Sequence, residues 1–190
     1  GEVDFDEGER WYGGYGKGID EVKAAACFQR AADAGFAPGA AALAYCYLMG
    51  RGVAKDEAEA GRLGKEAVDK LGLVAMAEEQ GHAGAQCRLG ACYLWGIGVA
   101  TDKGQAARLF GLATEQGHTR AQWSRGTCYQ VGNGVAKDMG EAKRLYQLAA
   151  DQGHEEAKKV LAKAEWTAVT AAADPAAAKQ KGEADFDEGE

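Results

Sequence analysis

Three residue types able to act as base, nucleophile or metal ligand recur at matched places along this chain. His82, His118 and His154 each follow Gln-Gly; Cys46, Cys92 and Cys128 each precede Tyr. Asp56, Asp102 and Asp138 close the stretches CYLMGRGVAKD (from 46), CYLWGIGVATD (from 92) and CYQVGNGVAKD (from 128). The GxGV inside each stretch raises a further chemistry, because glycine-rich loops can cradle a phosphate on backbone amides. Such a loop follows a strand and opens a helix, whereas here GxGV sits between two helical patterns and no GKS or GKT follows. We therefore expect a corner, with glycines supplying permissive backbone and valine packing beneath.

Repetition also argues against catalysis. Equivalent residues in stacked units are strung along an array and do not converge on a reacting atom. Cysteines at equivalent positions lie roughly 9–10 Å or more apart, beyond disulfide reach, and a thiol there is expected to pack as a small hydrophobe. The histidines are expected to pack back on the preceding helix end, and the aspartates to cap helices. Neither a Ser/His/Asp nor a Cys/His pairing is defensible, and no CxxC or Cys/His cluster has zinc spacing. The expectation is no enzyme, no metal and no cofactor.

Composition narrows the partners. A net charge of -7 argues against binding a nucleic-acid backbone, and no stretch of about twenty apolar residues suggests membrane insertion. Five cysteines leave one unpaired in any disulfide framework, so reduced thiols in an intracellular, cytoplasmic protein are expected. The segment GEVDFDEGER has no apolar core of the kind a secretory signal carries.

The elements that position these residues follow from a ruler. AQCRLGACYLWGIGVATDKGQAARLFGLATEQGHTR (85–120) aligns without a gap on 121–156, a period of 36. Upstream, Tyr47, Gly50, Gly52 and Asp56 match Tyr93, Gly96, Gly98 and Asp102 at an offset of 46, placing ten extra residues within GKEAVDKLGL. These should lengthen that unit's second helix or form an additional turn. Ala106, Leu109, Phe110 and Ala113 trace one apolar stripe, and Asp102 with Gln105 resembles a capping box. A helix pair cannot bury its own stripe, so the pairs must stack. The fold class is all-α: an α/α superhelical solenoid of antiparallel helix pairs. Units run about 1–36, 37–84 with the insertion, 85–120, 121–156 and a partial 157–168, followed by an Ala-rich segment, 169–190.

The period, the LG-x-x-Y-x-x-G-x-G-V-x-x-D core and the closing QGH-x-x-A resemble Sel1-like repeats, relatives of the tetratricopeptide repeat. The resemblance implies a helical adaptor that assembles protein complexes. A cysteine-rich bacterial branch, linked to penicillin binding and β-lactamase activity, bridges cysteines at the end of its second helix and near the next first helix. LATEQG and LAADQG here contain none, so a hydrolase reading loses its framework. If first helices face inward as in tetratricopeptide arrays, a groove for a peptide or protein segment would be lined by Tyr12, Tyr45, Leu48, Met49, Cys87, Ala91, Leu94 and Trp95. It would continue through Trp123, Thr127, Gln130 and Val131 to Lys159, Lys163 and Trp166, the lysines meeting an acidic partner residue. The alternative is one stretch of a longer tandem rod: GEVDFDEGE (1–9) recurs as GEADFDEGE (182–190), which implies a following unit and end-to-end self-association.

Overall fold

The computed structural model describes residues 1–16, 18–163 and 166. Among them are ten α-helices and no strand. Four antiparallel pairs stack in chain order: α1 (Glu2–Gly13) with α2 (Glu21–Asp33), α3 (Ala37–Met49) with α4 (Glu57–Asp69), α6 (Ala83–Trp95) with α7 (Lys103–Glu115), and α8 (Thr119–Val131) with α9 (Met139–Asp151). A short α5 (Leu73–Glu78) separates the second and third pairs, and α10 (Glu155–Leu161) follows the fourth.

Each pair turns the same corner for the same reasons. The first helix ends on a glycine with φ near +70° (Gly14, Gly50, Gly96, Gly132), a conformation that is strained for any residue with a Cβ. The aspartate at the second helix start (Asp20, Asp56, Asp102, Asp138) accepts a hydrogen bond from the backbone N–H three residues on. Its own N–H donates to the carbonyl of Trp11, Tyr47, Tyr93 or Tyr129 on the first helix, at 2.9–3.0 Å. The capping boxes are thus only half formed. Glu59, Gln105 and Glu141 do not reach back; they bind Arg62, Arg108 and Arg144 one turn along.

The second glycine of GxGV serves the approach between units. A Cβ on Gly52 would enter the Glu21 carbonyl of α2, and one on Gly134 the Lys103 carbonyl of α7. Backbone meets backbone there, and no side chain fits.

Within a pair, an aromatic ring of the second helix lies on a glycine of the first: Phe28 on Gly8, Phe110 on Gly90, Tyr146 on Gly126. These rings are at most 1% exposed, each contributing about 1.5–3 kcal/mol of apolar burial. The second pair breaks the pattern, with Ala44 and Gly64 in the matching places. The insertion explains why. Its extra residues form a turn and α5, while α4 keeps the 13 residues of its neighbours. The third unit's corner, which would otherwise meet the first turn of the preceding helix, meets Gly64 instead: a Cβ there would strike Ile97, and one on Gly98 the Gly64 backbone. That is a slide of about seven residues, about 10 Å along α4. An aromatic at 64 would block it.

Candidate functional site

The histidines return onto the preceding helix end through their backbone N–H, which donates to the carbonyl of Met76, Ala113 or Ala149, and their rings add a role the sequence reading lacked, capping the helix that follows. His82, His118 and His154 each stand directly before α6, α8 and α10, their Nδ1 accepting from the backbone N–H of Ala85, Ala121 and Ala157 at 3.1–3.3 Å. The bond requires a neutral ring with its proton on Nε2. Burial, aided by Arg88 and Arg120, pulls the pKa of His118 down to about 4, and burial with Arg120 pulls His154 to about 3. His154 is also sandwiched by rings, stacking on Trp123 at 5.1 Å with Tyr15 at 5.7 Å. That arrangement brings the first corner of the array against the start of α10.

All five cysteines are free and buried. Burial pushes the thiols of Cys46, Cys87 and Cys92 up to about 12 and that of Cys128 to about 11, which leaves no thiolate for nucleophilic attack near neutral pH. No group of three or more His, Cys, Asp or Glu with metal-site geometry occurs among the described residues.

What the first helices do build is a hollow of about 240 Å³ between α3, α6 and α8. Tyr45, Trp95 and Trp123 supply rings, Cys87, Ala91, Leu94 and Phe110 apolar wall, and Ser124 and Thr127 hydroxyls. Trp95 is 49% exposed and meets Tyr45 at 6.4 Å. Three guanidinium groups also line it: Arg51, Arg88 and Arg120. Arg51 lies 3.6 Å from Glu21. Arg88, 1% exposed, is ion-paired with the buried Glu9 of α1. Arg120 is different. It lies over the Tyr12 ring at 4.0 Å and near Tyr45 at 5.7 Å, and no carboxylate among the described residues lies within ion-pair distance of it. An arginine keeps its charge at any physiological pH, so the hollow carries one uncompensated cation held between π faces.

The residues expected to line a groove are therefore divided. Tyr45, Cys87, Ala91, Leu94, Trp95, Trp123 and Thr127 come together in the hollow. Tyr12 does not present a surface: it is 4% exposed beneath Arg120, and burial raises its pKa to about 12. Leu48 and Met49 are half-buried at the end of α3. Gln130 accepts from the Tyr146 hydroxyl at 2.7 Å, and Val131 is exposed at the end of α8. Lys159 is bonded to Glu156 at 2.9 Å, and Lys163 is exposed. Trp166 is fully buried edge-on to Tyr146 at 5.3 Å, contrary to its expected place on a groove. Reading the groove from repeat positions missed Arg120. The available signal was that an arginine stands where Pro38, Gly84 and Glu156 occupy the matching positions.

No curated protein matches the chain. Among solved structures it is similar to a protective antigen of uropathogenic Escherichia coli strains displaying an SLR fold, at 33% identity over 82% of this chain and 31% of that one, with a TM-score of 0.43. It is also similar to a Sel1 repeat protein from Oxalobacter formigenes, at 26% identity over 84% of this chain and 59% of that one, with a TM-score of 0.48. This chain thus spans less than two thirds of either. The Sel1 repeat model matches four times, at residues 3–36, 37–70, 83–118 and 119–154, each match holding one capped helix pair with its glycine corner. The chain belongs to the Sel1 repeat family, α/α solenoids that generally serve as protein–protein interaction scaffolds.

Proposed function

We propose that this chain is a non-catalytic adaptor that seats an acidic segment of a partner protein in the hollow between α3, α6 and α8. The unpaired Arg120 carries this reading. A partner carboxylate there would gain a charge-assisted, bidentate hydrogen bond in a partly desolvated place, while Tyr45, Trp95 and Trp123 offer the rings on which interface energy concentrates. Arg51 and Arg88 have carboxylates of their own, so one acidic side chain suffices. Arg120 takes the role expected of Lys159 and Lys163. The raised thiol pKa values and the use of each histidine Nδ1 as a helix cap favour binding over hydrolysis. The net charge of -7 disfavours a nucleic-acid partner. Five free thiols support an intracellular, cytoplasmic setting.

Selection from a random peptide display library on the full chain tests the proposal. The expected outcome is enrichment of peptides pairing Asp or Glu with apolar residues, lost when selection is repeated on Arg120→Met. Enrichment of peptides without acidic residues, or equal enrichment on Arg120→Met, would overturn it.

A further inference from the structure

The sequence of residues 1–9, which hold the first two turns of α1, recurs with one change at 182–190, and the structure shows what the first copy does. Within α1, Phe5 is 2% exposed, its ring 6.0 Å from Phe28 and 5.6 Å from Phe36, over the α6 backbone at Gly84. Gly8 admits the Phe28 ring, and Glu9 holds the buried Arg88. Asp4 and Glu7 meet Arg30 at 2.7 and 3.5 Å, and Glu2 meets His82 at 3.3 Å. Every one of these α1 residues recurs in order in GEADFDEGE, as Glu183, Asp185, Phe186, Glu188, Gly189 and Glu190. The single difference is Ala184 for Val3, and Val3 is 80% exposed. The positions that touch the seat are all duplicated, and the one that differs is exposed.

We infer that residues 182–190, which lie outside the described residues, are a second edition of the seating face of α1. They dock on the α2–α3–α6 seat of a second copy of this chain, in place of that copy's own residues 1–9. The partner of this surface is the chain itself. The incoming segment restores the same ring packing and ion pairs that the released segment gives up, the condition under which exchange of an identical element joins protomers at low cost. The resident segment keeps the advantage of being covalently continuous with Trp11 and Tyr12, equivalent to a local concentration in the range of about 1 mM. Exchange in the native chain therefore grows with protein concentration, and weakening the resident segment promotes it.

The experiment is light scattering of the full chain across a concentration series. Phe5→Ala weakens the resident segment and should associate far more readily than the native chain. Adding Phe186→Ala should reverse this by on the order of a hundredfold in association constant, the effect of removing a buried ring. Adding Ala184→Arg should leave it unchanged. Association of the Phe5→Ala/Phe186→Ala chain equal to that of Phe5→Ala would overturn the inference, as would disruption by Ala184→Arg. Because Phe5→Ala empties a core position, a second pair leaves the core intact. Arg30→Glu repels Asp4 and Glu7 at exposed positions, and a chain carrying Asp185→Arg with Glu188→Arg supplies the matching charge. The mixture should associate several-fold, up to about tenfold, more tightly than either chain alone. Equal association would overturn the inference. So would association that requires Trp95 of the hollow and is indifferent to Glu190→Lys.

Discussion

Lowering the pH from 7 to 5 should cost this array a large part of its stability, well before its carboxylates protonate. His118 and His154 cap α8 and α10 only as neutral rings, with pKa values of about 4 and about 3 in the folded chain against about 6.5 unfolded. The unfolded chain therefore binds more protons between these values, and stability falls as pH falls. The contribution is complete above pH 6.5, declines as pH drops below it, and is exhausted near pH 4 for His118 and pH 3 for His154. At pH 5 each histidine costs about 2 kcal/mol relative to pH 7, from about 1.4 kcal/mol per unit of pH below the unfolded value. Two such terms are a substantial share of a typical stability of about 5–15 kcal/mol. Carboxylates held low by partners, Asp4 by Arg30 and Glu141 by Arg144, lose their contribution at lower pH, and Asp6, raised by burial, works in the opposite sense. Urea denaturation at pH 7, 6 and 5 and constant ionic strength measures the effect. His118→Asn keeps an acceptor for the Ala121 N–H without a proton to gain, and should remove about half of the loss. Equal stability at pH 7 and 5, or a loss unchanged in His118→Asn, would refute the reasoning.

The glycines and rings give two further tests. A Cβ at Gly132 would come no nearer than 3.7 Å to its neighbours, so Gly132→Ala should cost only the left-handed backbone, about 1–2 kcal/mol. Gly134→Ala must also push back the first turn of α7 and should cost about 3 kcal/mol or more; equal losses in denaturant would contradict the assigned close approach. Phe110→Ala, removing a ring packed on Gly90, should cost about 3–5 kcal/mol, while Trp95→Ala, half-exposed at the hollow, should cost under about 1 kcal/mol. A Trp95 change as damaging as the Phe110 change would make that ring core.

What the sequence disclosed was whatever is local and repeated. The period of 36, the aspartate caps and the glycine corner are short-range demands of a helix pair, and each copy states them again. The histidine caps were within reach, since a residue between a C′ glycine and the next helix stands at an N-cap. Histidine is an uncommon choice there, and Phe36 holds the matching place before α3 without a side-chain bond. Less legible were features created where units differ. The slide of the third unit along α4 follows from α5, whose seat depends on packing that no single period encodes. Trp166 breaks the register for the same reason: α10 ends at Leu161, and the ring lies on Tyr146 and not one turn further along a regular first helix. Arg120 is singled out by its place on Tyr12 of a distant unit, a contact that no single period encodes.

Titration calorimetry of an acidic peptide obtained by display selection, against the native chain and Arg120→Met, measures what the Arg120 charge contributes to binding. Methionine fills much of the same space beside Tyr12 and Tyr45 without the charge, so folding can be verified by the unchanged helical circular dichroism. Affinity should fall by about tenfold or more in Arg120→Met, and the native affinity should weaken with added salt while the variant's does not. Equal affinity of the two chains, with the same salt dependence, would contradict it.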